Sequence, residues 1–295
     1  MTLFDLLKSL TYSQKPILEK IVCHVLGLSK TQLFTHTEQA ISDDQKQQID
    51  TMYRRYVDNK EPLEYILGYV EFAKLQVHVS PATIIPRPET EYMLEAVREY
   101  FDEPNNPRPV TLIDVGTGSG ILWVCTMYYQ SDRISQAYLT ELSTDALEVA
   151  KKNKETLLDA SQQEKTTLIH CSLLDHPTIK NLFQVTNQQL PDAILLVANL
   201  PYIPDEMFAN NADERITKWE PTMAFIGWDD GLDLYRIMFD QIIDYNETAK
   251  LPITMYLEMM TWQLAILEKE YIEHFTFGEV KTFHANIRIL KVVGK

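Results

Sequence analysis

The chain has 295 residues but only three cysteines, nine glycines and little basic charge. Cys23, Cys125 and Cys171 are far apart, form no CxxC pair and show no zinc spacing. That excludes a disulfide framework and leaves no metal site to expect; the three are read as reduced core thiols of a cytoplasmic protein. The most apolar stretch, residues 121–129, falls well short of the ~18 residues a membrane helix needs. No membrane association is expected. Lys and Arg number 27 against 42 Asp and Glu, a net charge of −15. A protein that grips a phosphate backbone usually carries a basic face, so the charge counts against direct nucleic-acid binding. The opening MTLFDLLKSL carries Asp5 and no basic-then-apolar leader, so no signal peptide is expected.

What is present is the composition of a globular protein, 45% hydrophobic and 23% charged. The length suits one large α/β domain with a small helical one. Residues 1–62 read as a helical bundle. Leu3, Leu6, Leu7 and Leu10 fall at helical spacing, as do Ile17, Leu18, Ile21, Val22, Val25 and Leu26, in a helix that Gly27 ends and whose first turn holds Pro16. Ser42 opens a polar helix running to Tyr56, with Gln45 in capping-box position. Residues 63–88 read as a connector, a β-hairpin with strands at 65–69 and 75–79 followed by a proline-rich loop.

Residues 89–295 alternate regularly. A helix over 89–100 and a linker over 103–109 precede buried strands at 111–115, 137–141, 167–171, 193–198 and 254–258, with helical patterns between them. This predicts a doubly wound sheet with helices on both faces. Strands at 278–283 and 287–293 are joined by only His284-Ala285-Asn286, too short for a parallel crossover, so they pair antiparallel. The expected fold is α/β: a Rossmann-like sheet of the class I methyltransferase kind, parallel with an antiparallel C-terminal hairpin, plus the N-terminal helices.

Three of the nine glycines fall within Asp114-Val115-Gly116-Thr117-Gly118-Ser119-Gly120, between a buried strand and a helix. Glycine serves where backbone turns sharply and approaches a ligand without a Cβ. The spacing is G-x-G-x-G, with Ile121 where a dinucleotide fingerprint has its third glycine. Asp114 disfavours a nearby pyrophosphate. S-adenosyl-L-methionine fits better, having no phosphate and two cationic groups. Asp114 can hold the loop and complement that charge, and Glu141, at the end of the next strand, can accept both ribose hydroxyls. Ser143 then caps the following helix.

The fourth strand runs into Asn199-Leu200-Pro201-Tyr202. The Asn199 side-chain oxygen can accept one N–H of an amino or amide group. The Leu200 carbonyl can accept the other, Pro201 fixes the turn, and Tyr202 offers a flat face. Two acceptors on a planar nitrogen push electron density onto it and aim its lone pair at a methyl group.

An Asn-x-Pro-Tyr turn marks amino-group methyltransferases acting on adenine, cytosine or glutamine. The segment Ile84-Ile85-Pro86-Arg87-Pro88-Glu89-Thr90-Glu91 resembles the signature of the HemK-type release factor glutamine methyltransferases. Pro62-Leu63-Glu64-Tyr65-Ile66-Leu67-Gly68, Glu71-Phe72, Glu220-Pro221, Asp230-Gly231-Leu232-Asp233-Leu234-Tyr235, Leu257-Glu258, Gln263 and Arg288 are similar as well, so the likeness spans nearly the whole chain. It implies methyl transfer to the glutamine of the Gly-Gly-Gln tip of a peptide chain release factor, with the N-terminal helices helping to dock that protein. It implies a cofactor site of Asp114, Gly116, Thr117, Gly118, Ser119, Gly120 and Glu141, with Leu173 beside the adenine. Asn199 touches cofactor and substrate alike, and Leu200, Pro201 and Tyr202 complete the reacting turn. Arg87 and Pro88 are expected to wall the substrate cleft. The chain departs from the family pattern at Leu200 (usually proline), Glu141 (usually aspartate), Ser172-Leu173 and Trp228 (usually glycine). Two other readings share the motifs: an adenine-N6 methyltransferase on rRNA or DNA, and a non-catalytic adenosylmethionine-binding protein.

Overall fold

A computed structural model of the protein describes residues 2–8, 15–184, 190–284 and 287–295. The chain divides into two compact units, Met1–Tyr69 and Val70–Lys295.

The first unit is built from helices α1 (Leu3–Lys8), α2 (Lys15–Leu26), α3 (Lys30–Thr35), α4 (Asp43–Asp58) and α5 (Leu63–Leu67). Leu3, Leu6, Leu18, Ile21, Val22, Leu33, Ile49 and Leu63 form its core. Leu10 lies outside the described residues. Gly27, at φ 64°, ends α2 as its position predicts. Ser42 accepts from the Gln45 N–H, and the Gln45 side chain accepts from the Ser42 N–H. Ser29 and Gln32 repeat this box at α3. Ser42→Ala removes one of these bonds and should destabilise the protein by about 1 kcal/mol. The readout is a lower midpoint in urea, followed by circular dichroism. An unchanged midpoint would show that the cap contributes nothing.

The strand expected at 65–69 is not formed. Leu63–Leu67 is helical, closed by Gly68, whose N–H bonds the Glu64 carbonyl at φ 80°. A short apolar run does not distinguish a buried strand from a buried helix, and here a C-terminal glycine decides it. The first strand of the hairpin lies four residues on, as β1 (Tyr69–Phe72), while the second, β2 (Leu75–His78), forms where it was expected. Its turn residues, Ala73 and Lys74, both have positive φ. Turns of that kind normally announce themselves with Asn-Gly. In this turn Glu91 accepts the Ala73 N–H and the Tyr129 hydroxyl donates to the Ala73 carbonyl.

The second unit holds a seven-stranded sheet. Its strands are β3 (Val110–Val115), β4 (Ile134–Glu141), β5 (Thr166–His170), β6 (Ile194–Ala198), β7 (Ile253–Met260), β8 (Phe275–His284) and β9 (Ile287–Gly294), in the order β5-β4-β3-β6-β7-β9-β8. Strands β3 to β7 pair in parallel; β9 runs antiparallel to both β7 and β8. The tip residues Ala285 and Asn286 lie outside the described residues. Every residue of β3 and β6 is buried, as befits central strands covered on both faces. One face packs on α6 (Thr90–Asp102) and α7 (Ile121–Gln130) through Met93, Phe101, Trp123 and Met127. The other packs on α13 (Asp233–Ala249) and α14 (Thr261–Tyr271) through Tyr235, Phe239 and Leu267, where the numbering counts α8 (Thr144–Leu157), α9 (Ala160–Glu164), α10 (Pro177–Asn181), α11 (Asp205–Asn211) and α12 (Glu214–Trp219). Among the described residues no helix is long and apolar enough to cross a membrane. The parallel strands end together, bringing the loops after Val115, Glu141 and Ala198 to one edge, where open α/β sheets bind ligands.

Candidate active site

The loop after β3 is held by backbone and acid together. The Gly116 and Thr117 N–H groups donate to the Thr140 carbonyl at 2.9 and 3.0 Å. The Gly118 N–H donates to Glu141 at 2.9 Å, and the other oxygen of that carboxylate accepts from the Ser143 N–H. Gly116, Gly118 and Gly120 all have positive φ, but their surroundings differ. A Cβ on Gly116 would stand 2.8 Å from the Leu200 side chain; on Gly120 it would meet Trp123 and Ala150; on Gly118 it would meet nothing within 4 Å. The missing Cβ of Gly118 thus faces open space, with the Glu141 carboxylate beside it.

Asp114 is 1% exposed. It accepts the Thr117 hydroxyl at 2.7 Å, and burial pushes its carboxyl up to about 7 against that bond. Ser119 is buried, and its carbonyl accepts from Asn153. Asn153, itself fully buried, also exchanges two hydrogen bonds with the His78 backbone and so ties β2 to the loop. Asn153 was not singled out from sequence; a buried amide inside an amphipathic helix was the signal. Leu173 follows β5 with its side chain buried and its backbone left-handed at φ 50°.

The turn after β6 is built around a buried acid. Glu258, near the end of β7, is 2% exposed. Its carboxylate accepts the Tyr202 hydroxyl at 3.0 Å and the Thr90 hydroxyl at 3.2 Å. The Asn199 nitrogen donates to Thr90 Oγ1 at 3.4 Å. Burial raises the Glu258 carboxyl to about 7, and burial together with that acid pushes the Tyr202 phenol well up. The Leu200 N–H donates to the Tyr235 hydroxyl, which donates to the Glu258 carbonyl. The side chain of Leu200 is buried over Gly116, so the departure from proline changes a wall of the loop. Gln263, fully buried, donates to the carbonyls of Tyr202 and Asp230. Gly227 packs against the Pro201 carbonyl, and Gly231 packs against the Tyr202 carbonyl. Arg236 holds Asp230 with two hydrogen bonds and lowers its carboxyl.

Arg87 does not reach out freely. It pairs with the buried Glu220 at 2.7 Å, and the other Glu220 oxygen accepts the Ile85 N–H. Pro88 is exposed, and the Arg87 and Pro88 carbonyls accept from Thr90 and Glu91. The loop is thereby drawn into a turn that delivers Thr90 to Glu258. Glu220 and Glu258 matched a sequence pattern without an assigned task; their burial supplies one. Trp228 has φ 65° and is 47% exposed, which explains why glycine is usual there. A separate cleft of about 930 Å³ opens at the other end of the sheet. Asp240, Asp244, Glu247 and Lys250 line it rather than residues of these two loops, so its size does not make it the site.

The PrmC N-terminal domain family matches residues 11–68. The release factor glutamine methyltransferase of Clostridium acetobutylicum is 32% identical over 217 residues, spanning 73% of this chain and 69% of its own. That of Francisella tularensis is 30% identical over 233 residues, spanning 79% and 74%. Among solved structures, the human methyltransferase 10 domain containing protein aligns over 75% of this chain and 88% of its own, at TM-score 0.51 and 13% identity. The METTL16 methyltransferase domain aligns over 84% and 94%, at TM-score 0.50 and 16% identity. At such identities the likeness shows the fold: a class I methyltransferase sheet.

Proposed function

This chain belongs to the release factor glutamine methyltransferase family, and from that premise we propose that it methylates the side-chain amide nitrogen of a glutamine. The methyl comes from S-adenosyl-L-methionine, and the glutamine is that of the Gly-Gly-Gln tip of a peptide chain release factor. The observation that carries the reading is the junction of the two loops. The Asn199 turn, with its amide nitrogen engaged by Thr90, abuts the glycine loop through Leu200 and Gly116.

S-adenosyl-L-methionine supplies, when bound, a methyl group on a cationic sulfur. The chain does the rest by placement. Gly118 would leave room for it, Glu141 would accept from its ribose and Leu173 would wall its adenine, while Asp114 with Thr117 and Ser119 keeps the loop in shape. Asn199 Oδ1 and the Leu200 carbonyl accept the two hydrogens of the substrate amide. That aligns a weakly nucleophilic nitrogen and stabilises charge as it develops. Pro201 sets the turn, Tyr202 supports the amide plane, and Arg87 and Pro88 wall the cleft. Residues 1–62 dock the release factor. The adenine reading shares this turn, but the net charge of −15 and the family membership both disfavour it.

The test is transfer of labelled methyl from S-adenosyl-L-methionine to a purified release factor, beside a control whose tip glutamine is alanine. Label in the first and none in the second is expected. Equal label in both would place the reaction elsewhere on the substrate. No label in either would remove the proposal.

A further inference from the structure

We infer that Glu258 and Thr90 are positioning residues that decide which end of the Asn199 amide faces the substrate. The inference rests on the reading of Asn199 as the acceptor for the substrate amide.

An amide side chain presents an oxygen at one end and a nitrogen at the other, and its partners choose the orientation. An ionised carboxylate only accepts. Glu258 accepts the Tyr202 hydroxyl on Oε1 and the Thr90 hydroxyl on Oε2. With its one proton committed to Glu258, Thr90 Oγ1 can only accept, and it faces Asn199 at 3.4 Å. That neighbour is therefore an acceptor, so the nitrogen turns inward and Oδ1 is left for an incoming N–H. The polarity of the whole chain begins at the Glu258 charge. A neutral residue of the same shape would fill the space without imposing it.

The same residue anchors the second acceptor. Its backbone carbonyl takes the Tyr235 hydroxyl at 2.6 Å, and Tyr235 takes the Leu200 N–H at 3.2 Å. One strand position thus holds both halves of the reacting turn.

A buried charge is unfavourable unless hydrogen-bonded. Burial, with Glu89 nearby, raises the Glu258 carboxyl to about 7, while Tyr202, Thr90 and Asn199 oppose the rise. Tyr202 and Tyr235 are themselves held protonated. Below that pH Glu258 gains a proton and becomes a donor, so Thr90 no longer has to accept from Asn199. Turnover should therefore rise with pH through about 7 as the acid ionises.

The experiment compares wild type with E258Q, T90V and T90S. In E258Q one oxygen becomes an NH2, so one of the two hydroxyl donors, Thr90 or Tyr202, loses its acceptor. A charge-assisted bond contributes about 1.5–3 kcal/mol, so kcat should fall roughly tenfold or more with KM for S-adenosyl-L-methionine little changed. The acid limb of the kcat profile should vanish with it. T90V should lose turnover similarly, and T90S, which keeps the hydroxyl, should recover most of that loss. A role in stability alone would leave the acid limb where it is. A second readout needs no substrate: with ¹⁵N-asparagine labelling, the Asn199 side-chain signals, identified by their absence in N199A, should move with pH around neutrality in wild type and not in E258Q. Movement without methylation of any release factor would sink the substrate assignment and keep the network. Signals that stay still, or an E258Q with wild-type kcat and an intact acid limb, would overturn the inference.

Discussion

Asn199→Ala should lower kcat by about 10²-fold or more, the scale of losing one aligned transition-state contact, with affinity for S-adenosyl-L-methionine nearly unchanged. The separation follows from where each loop gets its support. The glycine loop hangs on the Thr140 carbonyl, Glu141 and Asn153. Asn199 draws on Thr90, so truncating it withdraws an acceptor from the substrate and leaves the cofactor cradle standing. The truncation also removes the donor to Thr90, which is itself bonded to the buried Glu258. A modest drop in melting temperature should accompany the lost turnover. Turnover is measured with labelled cofactor at saturation and affinity by calorimetry. An Asn199→Ala protein that methylates at the wild-type rate would remove Asn199 from the reaction and, with it, the reason for the turn's geometry. A cofactor affinity that collapses alongside turnover would instead assign Asn199 mainly to the cofactor.

The sheet was legible because burial writes itself into sequence. β3 and β6 are buried along their whole length; β6 appears as an unbroken apolar run, and β3 as one broken only by Thr111 and Asp114. The three-residue connection before Ile287 forces an antiparallel neighbour. Caps at Ser42 and Ser143 were legible for a similar reason, since the geometry needs those side chains at those places. The first hairpin strand was misplaced because Leu63–Leu67 folds as a helix and the turn uses Ala73 and Lys74 in a backbone state that neither residue advertises; the second strand lies where it was read. The site divides along the same line. Glycines 116 to 120 and the Asn199 turn are candidates made of adjacent residues and could be read directly. The supports could not, because they are assembled from distant parts of the chain. Glu258 meets Thr90 across 168 positions, and Arg87 meets Glu220 across 133. Pattern alone marks such residues as recurrent, but only folding shows that each is a buried acid with a particular set of donors.

Gly231→Ala should be the most damaging single methyl group that can be added to the site. Gly231 sits at φ 76°, and a Cβ there would stand 2.1 Å from the Tyr202 carbonyl oxygen and 2.5 Å from the Gln263 amide nitrogen. Two penalties combine. A left-handed non-glycine residue costs about 1–2 kcal/mol, and forcing an atom into filled space adds roughly 1–3 kcal/mol. The sum corresponds to a fall in melting temperature of roughly 5–20 °C for a domain of this size. Gly118→Ala isolates the first penalty, because its φ is 56° but its missing Cβ faces open space; it should lose only a few degrees. The obstacle at Gly231 is backbone, which cannot swing aside as a side chain tip does. If the loop yields at all, it must move the Tyr202 carbonyl and so the ring that Glu258 and Gln263 hold in place. Turnover should therefore fall even in protein that remains folded. Scanning calorimetry of the two alanine variants, with kcat measured well below both transitions, separates the terms. A Gly231→Ala protein that melts with Gly118→Ala and turns over normally would mean that the contact between this loop and the Tyr202 backbone is slack rather than close-packed.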